Sequence, residues 1–251
     1  MKPLGLGHPV VHRISPAVFA VTGLYHAAGE GFGVNAGIIF TARRVIFVDA
    51  GMTVASAEFL WQTACEQMQG HKELLLLLTH HHSDHVFGMR VLKDKGARVM
   101  AHHKVSSFLE NANGVYKRFI IDQYGWDEQK GEEILGEVVL SLPDELITSD
   151  TVLMDDGEET HLLVTPGHVP SEISVYHPAT RTLFAGDTIY QGTPPMTRFG
   201  GPAEWEGWIS HLERLRQLDI DLICPGHGDL CSKEEIDRNI AYLRDKCRQP
   251  A

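Results

Sequence analysis

The stretch Leu74-Leu75-Leu76-Leu77-Leu78-Thr79-His80-His81-His82-Ser83-Asp84-His85 decides how this chain folds. Five leucines in succession offer no polar face, so the segment reads as a strand buried on both sides. It is far too short to cross a bilayer, which takes about 20 residues. The strand runs straight into four histidines and one aspartate. Clustered imidazoles beside a carboxylate are the usual sequence mark of a metal site.

Working outward, the N-terminal third reads as short strands at Val10 to Ile14, Val18 to Thr22, Ala36 to Thr41 and Val45 to Asp49. The last two form a hairpin through Ala42-Arg43-Arg44. Gly29, Gly31 and Gly33 make Leu24 to Asn35 a flexible loop. Helical spacing follows from Thr53 to Met68 with Gly70 as a stop signal, and beyond the histidine run lie a short helix from Val86 and a strand at Ala97 to Ala101. Strands return at Val152 to Met154, His161 to Thr165, Ile173 to Tyr176 and Thr182 to Ala185. A helix from Glu204 to Leu218, a strand at Leu222 to Cys224 and a last helix from Ser232 close the chain; Ser232 and Glu235 fit a capping box. Two successive βα passes predict an α/β fold with two packed sheets and helices outside. With no linker evident, residues 1–251 read as one domain with a mainly helical insertion at 103–142.

Composition narrows the function classes. A formal charge of -11 argues against a phosphate backbone or an anionic membrane as partner, because both need a basic footprint. A small-molecule substrate is the expected partner. No apolar signal-peptide core precedes Pro16, so a soluble cytoplasmic protein is expected. Cys65, Cys224, Cys231 and Cys247 are scattered and form no CxxC pair, which predicts free thiols rather than a disulfide framework.

A metal site needs ligands that converge, and strand ends deliver convergence because neighbouring loops emerge at one sheet edge. Five positions share that setting: Asp49 after Val45 to Val48, the run after Leu78, His168 in Thr165-Pro166-Gly167-His168, Asp187 in Ala185-Gly186-Asp187, and His227 in Pro225-Gly226-His227-Gly228. Within the run, His80 and His82 can face one cation while Asp84 and His85 turn toward a second. Imidazole with carboxylate suits Zn²⁺ and also Fe or Mn. His81 is expected to point away from the cations. His8, His71 and His177 read as surface residues, and His102 and His103 as structural or surface ones.

These five segments, with THxHxDH present as Thr79 to His85, resemble the metallo-β-lactamase superfamily across essentially the whole chain. The resemblance implies a four-layer αββα sandwich. It implies that His80, His82 and His168 hold a first metal ion, that Asp84, His85 and His227 hold a second, and that Asp187 bridges them. Asp49 matches the residue that orients the ligands from behind. Two divalent ions, Zn²⁺ favoured, would then share a hydroxide nucleophile. Asp84 is placed to handle the proton, and Tyr190, three residues past the bridge as in lactonases of the superfamily, is a candidate donor to a developing oxyanion.

Thr79-His80-His81-His82 is similar to the glyoxalase II form of the motif, which implies thioester hydrolysis; that family carries a basic helical extension for glutathione, whereas this chain ends one helix after His227. Intact Asp84 and Asp187 disfavour a β-lactamase. The expected reaction is cleavage of an ester, lactone or thioester. The alternatives are a mononuclear iron sulfur dioxygenase of the same fold and a metal-binding protein without turnover. Phe108, Tyr116, Phe119, Tyr124 and Trp126, with the loop Gln191 to Pro202, are candidates for the pocket wall or for core and homodimer packing. Arg198, Lys117 and Arg118 are candidates for pairing with a substrate carboxylate.

Overall fold

A computed structural model describes residues 4–29, 32–110 and 112–248. Two sheets lie face to face. The first has seven strands in sequence order, β1 (Gly7–Arg13), β2 (Val18–Leu24), β3 (Val34–Phe40), β4 (Arg44–Val48), β5 (Glu73–Leu78), β6 (Arg98–His102) and β7 (Glu145–Ile147). Pairing is antiparallel from β1 to β4 and parallel from β4 to β7. The second sheet is formed by β8 (Thr151–Asp155), β9 (Glu158–Val164), β10 (Ile173–His177), β11 (Thr182–Gly186) and β12 (Leu222–Pro225), with only the β11–β12 pair parallel.

The leucine run shows why the layers stack. Side chains alternate across a strand, so Leu74, Leu76 and Leu78 join one apolar cluster and Leu75 and Leu77 another. The first cluster is capped by helices: Leu60 of α1 (Val54–Gln67), and, beyond the short α2 (Ser83–Val86), Leu92 of α3 (Met89–Asp94), Leu109 of α4 (His103–Leu109), Ile120 of α5 (Val115–Gln123) and Leu135 of α6 (Glu128–Leu135). The second cluster fills the space between the sheets, where Leu75 and Leu77 meet Leu162, Ile173, Val175 and Phe184. A third lies outside the smaller sheet, under α7 (Pro202–Leu215) and α8 (Glu234–Arg248), and includes Trp208, Leu212, Ile236 and Ile240. The result is the expected αββα sandwich.

Several local expectations change. Residues 103–135 carry three helices, but the chain is non-helical from 136 to 142 and then adds β7, which the sequence reading had not placed. Its three residues are too few to show a periodicity. The expected capping box at α8 does not close: Glu235 donates its N–H to the Ser232 carbonyl, while its carboxylate goes to Arg238. Of the loop glycines, Gly31 lies outside the described residues.

Candidate metal centre

Five strand ends converge at one edge of the sandwich. Asp49 follows β4, the histidine run follows β5, His168 follows β9, Asp187 follows β11 and His227 follows β12. Backbone bonds tie these ends together: Asp49 N–H to the Leu77 carbonyl (2.9 Å), Ala50 N–H to His85 (2.9 Å), Ile173 N–H to Thr79 (2.8 Å) and Gly226 N–H to Gly186 (2.7 Å).

Asp49 has φ +64°, a left-handed conformation uncommon outside glycine. This turns its carboxylate back onto the run: Oδ1 accepts the Thr79 N–H, and Oδ2 accepts the Thr79 hydroxyl and His85 Nδ1–H, all at 2.8 Å. With its proton committed to Asp49, the Thr79 oxygen is left to accept His80 Nδ1–H at 3.0 Å. One carboxylate thus orients two rings, turning Nε2 of both His80 and His85 toward the centre. Both atoms are buried without a hydrogen-bond partner among the described residues.

Similar backing fixes two of the other imidazoles, while His82 Nδ1 lies 3.1 Å from His168 Nε2. His168 Nδ1–H donates to the Met196 carbonyl (3.2 Å), and His227 Nδ1–H to the Gly33 carbonyl (3.1 Å). The free nitrogens then gather in two groups. Donor atoms of His80, His82, His168 and Asp187 all lie within 4.8 Å of one another, as do those of Asp84, His85 and His227. Asp187 spans both: Oδ2 is 3.4 Å from His168 Nε2, while Oδ1 is 3.3 Å from His85 Nε2 and 3.5 Å from His227 Nε2. Asp84 Oδ2 completes the second group, 3.3 Å from His85 Nε2 and 3.2 Å from His227 Nε2.

Burial and charge divide the imidazoles. Burial lowers the pKa of His80, His82 and His168, with neighbouring imidazoles adding to the effect and Asp187 opposing it. Burial acts the same way on His85 and His227, but carboxylates outweigh it: Asp84 and Asp49 around His85, and Asp187 and Asp84 around His227, raise both. Against their own desolvation, Asp84 and Asp187 are held well below the usual carboxylate range by these histidines. Imidazole and carboxylate donor atoms converging this closely, with His80 Nε2, His85 Nε2 and Asp187 Oδ1 otherwise orphaned, fit divalent cations of borderline hardness.

Tyr190 stands behind the bridge rather than in front of it. Buried at 2% exposure, it donates its hydroxyl to Asp187 Oδ2 at 2.7 Å and lies 3.2 Å from His168 Nδ1. Its own backbone is clamped by Asn239 on α8, which accepts the Tyr190 N–H (2.9 Å) and donates to its carbonyl (2.8 Å). Gly226 leaves the bridge its room, since a Cβ there would meet Asp187 Oδ1 at 2.0 Å.

His81 turns away from both groups, as expected: its Nδ1 is 2.7 Å from Ser171 Oγ, and its ring stacks on Phe108 at 3.5 Å. His102 is buried and its Nδ1 accepts the Lys104 N–H at the start of α4, while His103 is exposed. His8 and His71 are exposed. His177 corrects the reading: it is fully buried, with Nδ1 2.9 Å from Thr180 Oγ1, because β10 is covered on both faces.

Three contributors had escaped notice. Asn35 anchors the His227 loop by donating to the Pro225 and Gly228 carbonyls, both at 2.9 Å. Glu172 is fully buried with both carboxylate oxygens unpartnered among the described residues, one of them 3.9 Å from His80 Nδ1. Desolvation first, then Asp187, raises its pKa well above normal. His26, in a loop with no apolar periodicity to flag it, brings Nε2 to 3.6 Å from Asp84 Oδ2.

A cleft of about 250 Å³ opens over both donor groups, lined by His82, Asp84, Asp187 and His227 on its floor and by Tyr116, Phe119, Tyr124, Met196, Phe199 and Arg198 on its walls. Phe108 stacks on His81, and Trp126 packs on the helical core with Lys130 over its ring (5.1 Å). Lys117 donates to the carbonyls ending α6 and Arg118 pairs with Asp122 at 3.0 Å, which leaves Arg198 as the Lys or Arg side chain on the wall.

Comparison with known proteins gives the family. The family model described as the metallo-beta-lactamase superfamily matches residues 29–227. The chain belongs to that superfamily. Its relatives include the hydroxyacylglutathione hydrolase GloC of Haemophilus influenzae, 28% identical over 68% of this chain and 76% of that protein. The hydroxyacylglutathione hydrolase of Rhodopseudomonas palustris strain HaA2 is 30% identical over 74% of this chain but 62% of its own length. Among solved structures, the metallo-beta-lactamase from Pontibacter korlensis superposes with a TM-score of 0.70 at 18% identity, covering 95% of this chain and 100% of that one. At that identity the likeness concerns the superfamily's fold. No helix among the described residues is long and apolar enough to cross a membrane.

Proposed function

We propose that this chain is a dinuclear metal-dependent hydrolase, with Zn²⁺ as the favoured metal, that cleaves a carboxylic ester, lactone or thioester. The observation that carries the reading is Asp187, whose two oxygens are divided between two convergent donor groups. His80, His82 and His168 would hold one ion, Asp84, His85 and His227 the other, and Asp187 both. Such a pair, when bound, lowers the pKa of a shared water toward neutrality and polarises the substrate carbonyl.

The chain's own residues supply the rest. Asp84, held in its carboxylate form by His85 and His227, lines the cleft floor and is placed to receive the proton of the attacking water and pass it to the leaving group. Tyr190 holds Asp187 in its bridging orientation, and its hydroxyl is therefore a positioning group rather than an oxyanion donor. Aromatic walls favour an apolar or amphipathic acyl group, and Arg198 supports a substrate bearing an anionic group. The relatives named as hydroxyacylglutathione hydrolases support a thioester within this class.

Elemental analysis of the purified protein, followed by a panel of acyl thioesters, lactones, aryl esters, a phosphodiester and a β-lactam, tests the reading. Two divalent ions per chain and metal-dependent cleavage of a thioester or ester are expected. One iron per chain with oxygen uptake on a thiol substrate would replace it with the dioxygenase alternative.

A further inference from the structure

The loop between β2 and β3 contributes an imidazole that neither donor group uses. The His26 side chain is 8% exposed and forms part of the cleft wall. Its Nδ1 accepts the Ala28 backbone N–H at 3.0 Å. A neutral imidazole has one donor and one acceptor nitrogen, so the proton must sit on Nε2. That N–H points toward Asp84, a floor residue of the same cleft.

The donor finds no partner there. Asp84 Oδ2, the acceptor that approaches it among the described residues, is 3.6 Å away, beyond a normal hydrogen bond. The same oxygen is approached more closely by His227 Nε2 at 3.2 Å and His85 Nε2 at 3.3 Å. Meanwhile the ring is held edge-on by Phe32 (4.9 Å between centroids), His227 (5.4 Å) and Tyr124 (6.0 Å). An N–H kept in one orientation at the cleft wall, with no protein acceptor within hydrogen-bond distance among the described residues, is left for water or a ligand to satisfy.

We propose that His26 is a further catalytic residue, whose Nε2–H donates a hydrogen bond to an acyl oxygen of the bound substrate beside Asp84. This rests on the hydrolase reading and adds to it a substrate requirement: an oxygen acceptor at that point of the cleft, ahead of the aromatic wall. The contact is a hydrogen bond only and transfers no proton. His26 thereby orients the acyl group between the metal-ligand floor and the Phe32 and Tyr124 rings.

The metal-loaded full chain tests it with two variants. His26→Phe keeps a ring and removes the donor, and His26→Gln returns an amide N–H near the Nε2 position. Metal content, kcat/KM on the ester and thioester panel, and the Kd for phenylacetate, a carboxylate with an aromatic body, are measured for each. We expect His26→Phe to keep its metal, lose roughly 10- to 100-fold in kcat/KM and bind phenylacetate about tenfold more weakly, with His26→Gln recovering much of both. Unchanged kcat/KM and unchanged phenylacetate affinity in His26→Phe would overturn the proposal, as would losses that merely follow lost metal. If the wild type cleaves nothing in the panel but its phenylacetate affinity still falls in His26→Phe, the hydrolase reading fails and the donor role stands. Neither cleavage nor phenylacetate binding by the wild type would overturn both.

Discussion

Asp187 brings one carboxylate oxygen to each of the two donor groups. Asp187→Ala should therefore lower bound metal from two ions per chain and cut turnover by three orders of magnitude or so while leaving the circular dichroism spectrum intact; unchanged metal content and activity would refute the bridge. Tyr190→Phe removes one hydrogen bond to Asp187 Oδ2 and nothing from the cleft floor. Its expected signature is a metal affinity weaker by roughly 10- to 100-fold, measured by chelator competition. A lactonase-like role in the oxyanion would instead lower kcat and leave metal affinity unchanged. The candidate ligands were legible in the sequence because they follow strand ends, beside residues that mark the turn. Glu172 and His26 were not: a glutamate two residues past a proline, or a histidine in a glycine-rich loop, is ordinary until the fold brings it within 3.9 Å of His80 Nδ1 or 3.6 Å of Asp84 Oδ2.

Elements matter here chiefly through what they hold at the sheet edge. Helix α7 is pinned by Trp208, which is fully buried and donates Nε1–H to the Thr188 carbonyl at 2.8 Å, one residue after the bridge. Trp208→Ala should cost about 3–5 kcal/mol through the cavity left, seen as a melting temperature lower by roughly 10 °C, with metal binding weakened by the loosened loop. The β3–β4 corner supplies a pH-dependent contact. Desolvation pushes the Asp155 carboxyl up, but hydrogen bonds from Thr41 and the Arg43 N–H, with Arg44 and Arg43 nearby, pull it below its ordinary value. A folded-state pKa that is depressed stabilises the fold above the unfolded value near about 4 and is lost as pH falls through the folded one. Asp155→Asn should accordingly melt below wild type at pH 7, by an amount that shrinks as both are taken to pH 3; an equal gap at both pH values would contradict the assignment. Long elements were readable from their periodicity. Strand β7 and the end of the helical insertion were not, because three paired residues and a non-helical 136–142 stretch leave no period to read.

At the scale of the whole molecule, the sandwich gathers Asp49, Asp84, Asp187 and Glu172 with five imidazoles in one buried place. Bringing such groups together without cations is unfavourable, so metal binding should add to folding stability. Dialysis against a chelator is expected to lower the melting temperature by several degrees, restored by Zn²⁺, since a ligand at a thousandfold its Kd contributes about 4 kcal/mol; a melt indifferent to chelation would count against filled sites. The sequence by itself determined the layer order and named the candidate ligands, because both are local: alternation along a strand says which faces are buried, and a strand end says where a side chain can meet others. Only the tertiary structure decided which nitrogen of His80, His85, His168 and His227 faces the centre, that Tyr190 stands behind Asp187, and that His26 lines the cleft beside Asp84. Those depend on hydrogen bonds between residues far apart in the chain, from Gly33 to His227 and from Asp49 to His85, and a pattern of spacing carries no record of them.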